Sequence, residues 1–302
     1  MTEQTVATAV DLAGPVLLDG GLSNALESRG HDLRDPLWTA RLLRDAPEEI
    51  AAVHRDYFRA GARVATTASY QASVSGWQAA GLTRQQGARL IASSVTIARR
   101  VRDDFDDGTR RWVAASVGPY GAVLADGSEY RGRYGVTASR LRDFHRPRIE
   151  ALLAAEPDLL AVETIPDVDE AEVLVSIIDE VAVPAWLSYT VADGRTRAGQ
   201  SLADAFAVAA TAPSIIATGV NCCAPSEVEP AVRQAAMITG RRAICYPNSG
   251  QGWDPRLRRW VGPSRFEPGL AASWIAAGAG LVGGCCRVGP AEIAALADEL
   301  PR

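Results

Sequence analysis

The chain reads as an α/β protein folded as a (β/α)8 TIM barrel, in one domain spanning residues 1–302. Eight short β-rich apolar runs recur along it, and helical pattern fills the intervals between them. No linker, low-complexity tract or compositional break divides it. Barrels of this kind take about 250 residues, which 302 residues exceed modestly. A doubly wound open sheet is the second architecture compatible with the same alternation.

The runs begin with Val16–Gly20, Val64–Ala68, Trp112–Val117 and Leu159–Glu163. Ala185–Tyr189, Ile216–Asn221, Ala243–Pro247 and Gly280–Gly284 follow. Near-continuous apolar character is what strands covered on both faces require. Between the first two runs, Pro47 opens a helical segment in which Ile50, Val53, Tyr57 and Phe58 recur at helical spacing before Gly61 closes it. Ala271 to Gly278 has the same character ahead of the last run. Polar residues gather where the runs end: Asp19, Thr67, Glu163, Ser188, Asn221, Cys222, Asn248, Cys285 and Cys286. A barrel carries its chemistry on the loops after its strands, so one rim is expected to collect them all.

Composition narrows the function classes. Apolar residues make up 47% of the chain, enough for a sizeable core, and charged residues 22%, ordinary for a soluble protein. Every basic side chain except the three histidines is Arg, and the net charge of −5 offers no pull toward a phosphate backbone, so nucleic acid is not an expected partner. No apolar stretch approaches the roughly 18 residues that a membrane span needs. Met1–Thr5 lacks a basic patch followed by an apolar run, so no signal peptide is expected there, and a cytoplasmic location is.

The five cysteines, Cys222, Cys223, Cys245, Cys285 and Cys286, all lie in the last third. A chain this large does not need disulfide staples, and an odd count suits them poorly; metal binding or thiol chemistry suits them better. Cys222-Cys223 follows the sixth run and Cys285-Cys286 the eighth, close enough around a small barrel to share an ion. Three thiolates favour zinc over magnesium or calcium, and a three-ligand site leaves the fourth position open to a substrate atom. Neighbouring side chains on a strand face opposite ways, so the backbone must turn if Cys285 and Cys286 are both to bind; Gly283-Gly284 offers that freedom. Burial as small apolar residues is the competing reading, and it is the expected one for Cys245 and Cys223. A strained vicinal disulfide at Cys285-Cys286 is a further alternative.

Asp19-Gly20-Gly21, Gly219-Val220-Asn221-Cys222 and Gly283-Gly284-Cys285-Cys286-Arg287 together resemble the homocysteine S-methyltransferase family. Longer segments, Thr67–Ala72, Ser116–Ala122, Leu124–Gly132, Phe144–Arg148 and Tyr246–Gly250, are similar to the branch that takes its methyl group from S-methylmethionine or S-adenosylmethionine. The likeness runs through nearly the whole chain. It implies a (β/α)8 barrel whose zinc ion is held by Cys222, Cys285 and Cys286. It also implies methyl transfer from a sulfonium to L-homocysteine, forming L-methionine. Cys223 departs from the family pattern; a fourth thiolate there would close the open position.

On this reading the substrate thiol, once activated by zinc, is the nucleophile, and no side chain serves as a further catalytic group. The resemblance gives Asp19 and Glu163 the ammonium group of homocysteine. Ser188 is a candidate for the carboxylate, and Asn221 for orienting the loop or a zinc ligand. Tyr120 and Tyr130 are candidates to face the sulfonium, with Glu129 adding charge and Arg131 or Arg133 holding the donor's carboxylate. Two rivals remain: the same barrel using betaine or folate as donor, and a non-catalytic zinc barrel, which needs a fourth protein ligand.

Overall fold

The computed structural model describes residues 14–35, 37–254 and 259–301; the Met1–Thr5 expectation lies outside them. Its central sheet has eight strands: β1 Val16–Leu17, β2 Val64–Thr66, β3 Trp112–Val117, β4 Leu159–Ile165, β5 Ala185–Tyr189, β6 Ile215–Asn221, β7 Ala243–Tyr246 and β8 Ala279–Val282. Each coincides with one of the apolar runs. All neighbours pair in parallel, from β2 through β8 and on to β1. A parallel bridge between Leu18 and Val64 joins β1 to β2 and closes the ring. The fold is therefore a (β/α)8 barrel and not an open sheet.

Eight helices follow the strands in turn: α1 Pro47–Arg59, α2 Arg84–Asp103, α3 Ala138–Leu153, α4 Val168–Val181, α5 Leu202–Ala210, α6 Val228–Thr239, α7 Leu270–Ala276 and α8 Pro290–Glu299. Their starts carry the expected chemistry. Pro47 and Pro290 sit at first helical positions, Thr83 and Gln86 form a reciprocal capping box on α2, and the Asp167 and Ser201 side chains cap α4 and α5. No described helix is long and apolar enough to cross a membrane.

The core lies in two shells. The larger packs strands against helices and includes Ile50, Val53, Tyr57 and Phe58 of α1. The smaller fills the barrel with Val16, Leu18, Val64, Trp112, Ala114, Leu159, Ala161, Trp186, Ala217, Ile244, Tyr246 and Leu281. Side chains alternate along a strand, so each inward row continues upward in steps of two. Ala161 leads to Glu163, Ala114 to Ser116, Trp186 to Ser188, and Ala217 by way of Gly219 to Asn221. The polar strand ends thus cap an apolar plug. Gly219 permits close strand approach, since a Cβ there would lie 1.9 Å from the Ile244 carbonyl oxygen.

Candidate active site

A cavity of about 120 Å³ opens at the C-terminal end of the barrel. Its floor and walls include Asp19, Glu163, Cys222, Cys285, Cys286 and Tyr130. The Sγ atoms of the three cysteines all lie within 4.8 Å of one another, and those of Cys222 and Cys286 are 3.6 Å apart. A tetrahedron with zinc–sulfur bonds of about 2.3 Å has edges of about 3.8 Å. The trio therefore fits one soft ion.

Local backbone geometry brings the thiols together. Cys222 adopts φ +49°, so it and Cys223 leave the end of β6 in different directions. Cys223 turns into the apolar core and lies outside the sulfur cluster, as does Cys245 on β7. Cys285 and Cys286 sit on a tight turn, with Val288 N–H donating to the Cys285 carbonyl and Arg287 at φ +65°. The turn thus runs from Cys285 to Val288 and not through the glycines before it. Gly283 and Gly284 do not take positive φ; they serve close approach instead, since added Cβ atoms would meet Leu18 at 2.6 Å and Val288 at 2.2 Å. All five thiols are free, which removes the vicinal disulfide.

Each thiol of the trio feels the other two even without an ion. Hydrogen bonds from the Cys285 and Cys286 thiols hold the Cys222 thiol well below its ordinary pKa, against burial, while theirs rise. The Tyr130 hydroxyl adds a contact of 3.2 Å to Cys222 Sγ.

Asp19 and Glu163 are both nearly buried at the cavity floor. Thr66 donates its backbone N–H to Asp19 at 2.7 Å and its hydroxyl at 2.9 Å. Ser116 donates to Glu163, and Tyr246 supplies a second hydrogen bond. Burial nonetheless pushes Asp19 up to about 8 and Glu163 up to about 7, and Glu163 adds repulsion to Asp19. Two partly protonated acids side by side suit a cationic ligand that restores their charge.

Other sequence candidates lie elsewhere. Ser188 and Asn221 are fully buried beneath the floor: Ser188 donates to Asn221 Oδ1 at 2.8 Å and pairs with the Tyr246 hydroxyl at 2.7 Å. Neither lines the cavity. Tyr120 packs against Tyr134 and Phe144, with ring centroids 5.5 and 5.0 Å away, and its N–H donates to Glu170. Arg131 pairs with Asp126, and Arg133 with Asp167 and Asp169. Sequence reasoning missed Trp38, Thr39 and Tyr70, which line the cavity from the loops after β1 and β2. Trp38 and Tyr70 meet edge to face at 6.4 Å. Tyr70 sits in a motif singled out above, next to a strand end, and that position was the available signal.

A family profile described as homocysteine S-methyltransferase matches residues 16–300. The chain belongs to the homocysteine S-methyltransferase family. Among its relatives, the homocysteine S-methyltransferase of Escherichia coli strain K12 is 45% identical, over 93% of this chain and 94% of that one. Homocysteine S-methyltransferase 1 of Brassica oleracea var. italica is 40% identical, over 96% and 94%. Among solved structures, the metallated form of the homocysteine methyltransferase MmuM from Escherichia coli superposes with a TM-score of 0.87 at 41% identity, covering 98% of this chain and 99% of that one. Within this homocysteine S-methyltransferase barrel, the cavity with its sulfur trio is the candidate active site.

Proposed function

We propose that this chain transfers a methyl group from a sulfonium donor, S-methylmethionine or S-adenosylmethionine, to the thiol of L-homocysteine, forming L-methionine. One zinc ion, held by Cys222, Cys285 and Cys286, completes the site. The observation that carries the reading is the convergence of three thiols and two buried acids in one small cavity.

When bound, zinc supplies a Lewis acid that lowers the pKa of the incoming thiol, so that it reacts as thiolate. The chain's own residues supply the rest. Asp19 and Glu163 accept from the homocysteine ammonium and fix its reach, so that its sulfur points at the trio. The buried floor keeps water from the nucleophile. Trp38, Tyr70 and Tyr130 offer an aromatic, cation-tolerant wall for the sulfonium. The new S–CH3 bond forms as the donor's S–CH3 bond breaks in line. The bonding pair returns to the donor sulfur, which departs as a neutral thioether, and the thiol proton is released to solvent.

A closed structural zinc site needs a fourth protein ligand, and Cys223, the sequence candidate for it, lies in the core away from the trio. Five free thiols suit a reducing compartment, which supports the cytoplasmic reading. The test is a methyl-transfer assay with homocysteine against S-methylmethionine, S-adenosylmethionine and betaine, with zinc content measured in parallel. Methionine from the sulfonium donors is the expected result. Methionine from betaine alone would overturn the proposal.

A further inference from the structure

We propose that a second amino acid subsite, formed by Glu129 and Arg197 beside Tyr130, holds the α-ammonium and α-carboxylate of the methyl donor. It rests on the sulfonium reading above and names the groups that select among sulfonium compounds.

The cavity lining poses the problem. It holds three acids, Asp19, Glu129 and Glu163, and no Arg. Asp19 and Glu163 lie at the floor beside the sulfur trio and are taken by the homocysteine ammonium. Glu129 is left over. Its Oε2 atom is buried and has no hydrogen-bond partner, a costly arrangement for a carboxylate. A cation from outside the protein is the group that would satisfy it. Burial also pushes its carboxyl above the ordinary range, as for a group awaiting such a partner.

Arg197 presents the complementary case. It follows the short hairpin Val191–Ala192 and Arg195–Thr196, beyond β5, and is exposed. Its guanidinium carbon lies 5.7 Å from the centre of the Tyr130 ring. Among the described residues it has no carboxylate partner, whereas Arg131 and Arg133 are each tied to acids. A guanidinium stacked on an aromatic face keeps its edge free for a bidentate carboxylate.

Tyr130 joins the two. Its backbone neighbour is Glu129, its ring carries Arg197, and its hydroxyl reaches Cys222 Sγ at 3.2 Å. The reacting sulfur therefore belongs at the inner edge of this ring, with the charged groups beyond it. In a sulfonium amino acid, two methylenes and the Cα separate sulfur from carboxylate, a span that matches crossing one ring. Glu129 then meets the ammonium and Arg197 the carboxylate. Bare sulfonium compounds lack both groups and are discriminated against here, while the homocysteine contacts are untouched.

The experiment measures binding of S-methylmethionine to the zinc-loaded protein without homocysteine, so that no turnover occurs, and binding of homocysteine separately. Arg197→Met and Glu129→Gln are compared with wild type, and the α-amide of S-methylmethionine serves as a ligand without the carboxylate charge. Each variant is expected to weaken S-methylmethionine binding by about tenfold or more, as loss of a charge-assisted contact implies. Homocysteine affinity and zinc content stay unchanged, and Arg197→Met no longer distinguishes S-methylmethionine from its amide. Unchanged donor binding in Arg197→Met, which is exposed and costs little in folding, overturns the subsite. So does an equal loss of homocysteine or zinc, which would make Arg197 a partner of Cys222 instead. If wild type makes methionine from sulfonium donors while the variants keep donor affinity, the subsite alone falls. If wild type uses no sulfonium donor, the functional proposal falls first.

Discussion

Asn221 clasps Thr164 through both ends of its amide. Oδ1 accepts the Thr164 backbone N–H at 2.7 Å, and Nδ2 donates to the Thr164 hydroxyl at 2.8 Å. Thr164 sits at φ +60°, a strained position for a β-branched residue. The clasp ties the residue after Glu163 to the residue before Cys222, so the acid and the cysteine share one support.

Asn221→Ala removes that support and leaves the buried Thr164 N–H without its partner. The expected cost is about 2–4 kcal/mol of folding stability, with weaker homocysteine binding because Glu163 is no longer held. Urea denaturation checks the first effect and calorimetry the second. A variant as stable as wild type would show the clasp to be idle.

The two floor acids give a pH dependence of definite sign. Asp19 titrates at about 8 and Glu163 at about 7 in the folded chain, above the ordinary values of 3.8 and 4.5. The folded state thus binds these protons more tightly than the unfolded state. Their contribution to stability is complete below about pH 4 and is lost as pH rises through about 7 to 8. Glu163→Gln removes the cost of a buried charge, so without ligand it should melt higher than wild type at pH 8 and nearly alike at pH 5. Its homocysteine affinity should fall. Wild-type affinity for homocysteine should rise over the same range, with proton release, as the acids ionise against the ammonium. A Glu163→Gln protein that melts below wild type at pH 8 would contradict this account.

Much of the barrel was legible because its signals are local. Eight apolar runs at strand length, each ending in polar residues, mark both the sheet and its working rim. The convergence of Cys222, Cys285 and Cys286 was legible because all three follow strand ends on one rim of the barrel. Arg148 shows what was not. On a helix with other arginines it reads as surface, yet it is fully buried and donates to the carbonyls of Ser69, Tyr70 and Gly118. It braces the loops after β2 and β3, including the one that presents Tyr70. His145 is similarly buried against Glu170, which also accepts from the Tyr120 N–H. Helical periodicity says which face turns inward but not which loop carbonyls wait there. Ser188 and Asn221 do not line the cavity, because the inward row places them one layer beneath the floor, where Asn221 braces the end of β4 at Thr164.

The cysteines should divide cleanly by position. Cys222→Ala, Cys285→Ala and Cys286→Ala each remove a thiol from the trio and should abolish stoichiometric zinc and activity. Cys245→Ala and Cys223→Ala remove core sulfurs and should keep both, at a modest cost in stability. Metal analysis of the purified variants decides it. Full zinc retention in Cys285→Ala would sink the ligand assignment, and zinc loss in Cys223→Ala would bring that thiol back as a ligand.

The donor preference follows from space. S-methylmethionine and S-adenosylmethionine share a sulfonium and an amino acid end, so neither zinc nor the aromatic faces can separate them. They differ by an adenosyl group. The cavity also has to seat homocysteine, so the adenosyl group is the part of a donor for which Leu22, Trp38, Thr39 and Tyr70 have to leave room. Gly20-Gly21, the glycine pair nearest the floor, gives no nucleotide cradle. Added Cβ atoms there would meet the Val288 carbonyl oxygen at 2.3 Å and the Cys285 carbonyl oxygen at 2.6 Å, so the pair packs the β1 loop against the β8 loop. S-methylmethionine should therefore show the higher kcat/KM in steady-state kinetics at saturating homocysteine. Enlarging the cavity at Leu22, by Leu22→Ala, should narrow the gap. A higher kcat/KM for S-adenosylmethionine in wild type would overturn the spatial argument while leaving the homocysteine and zinc assignments standing, because those rest on the floor of the cavity and this rests on its walls.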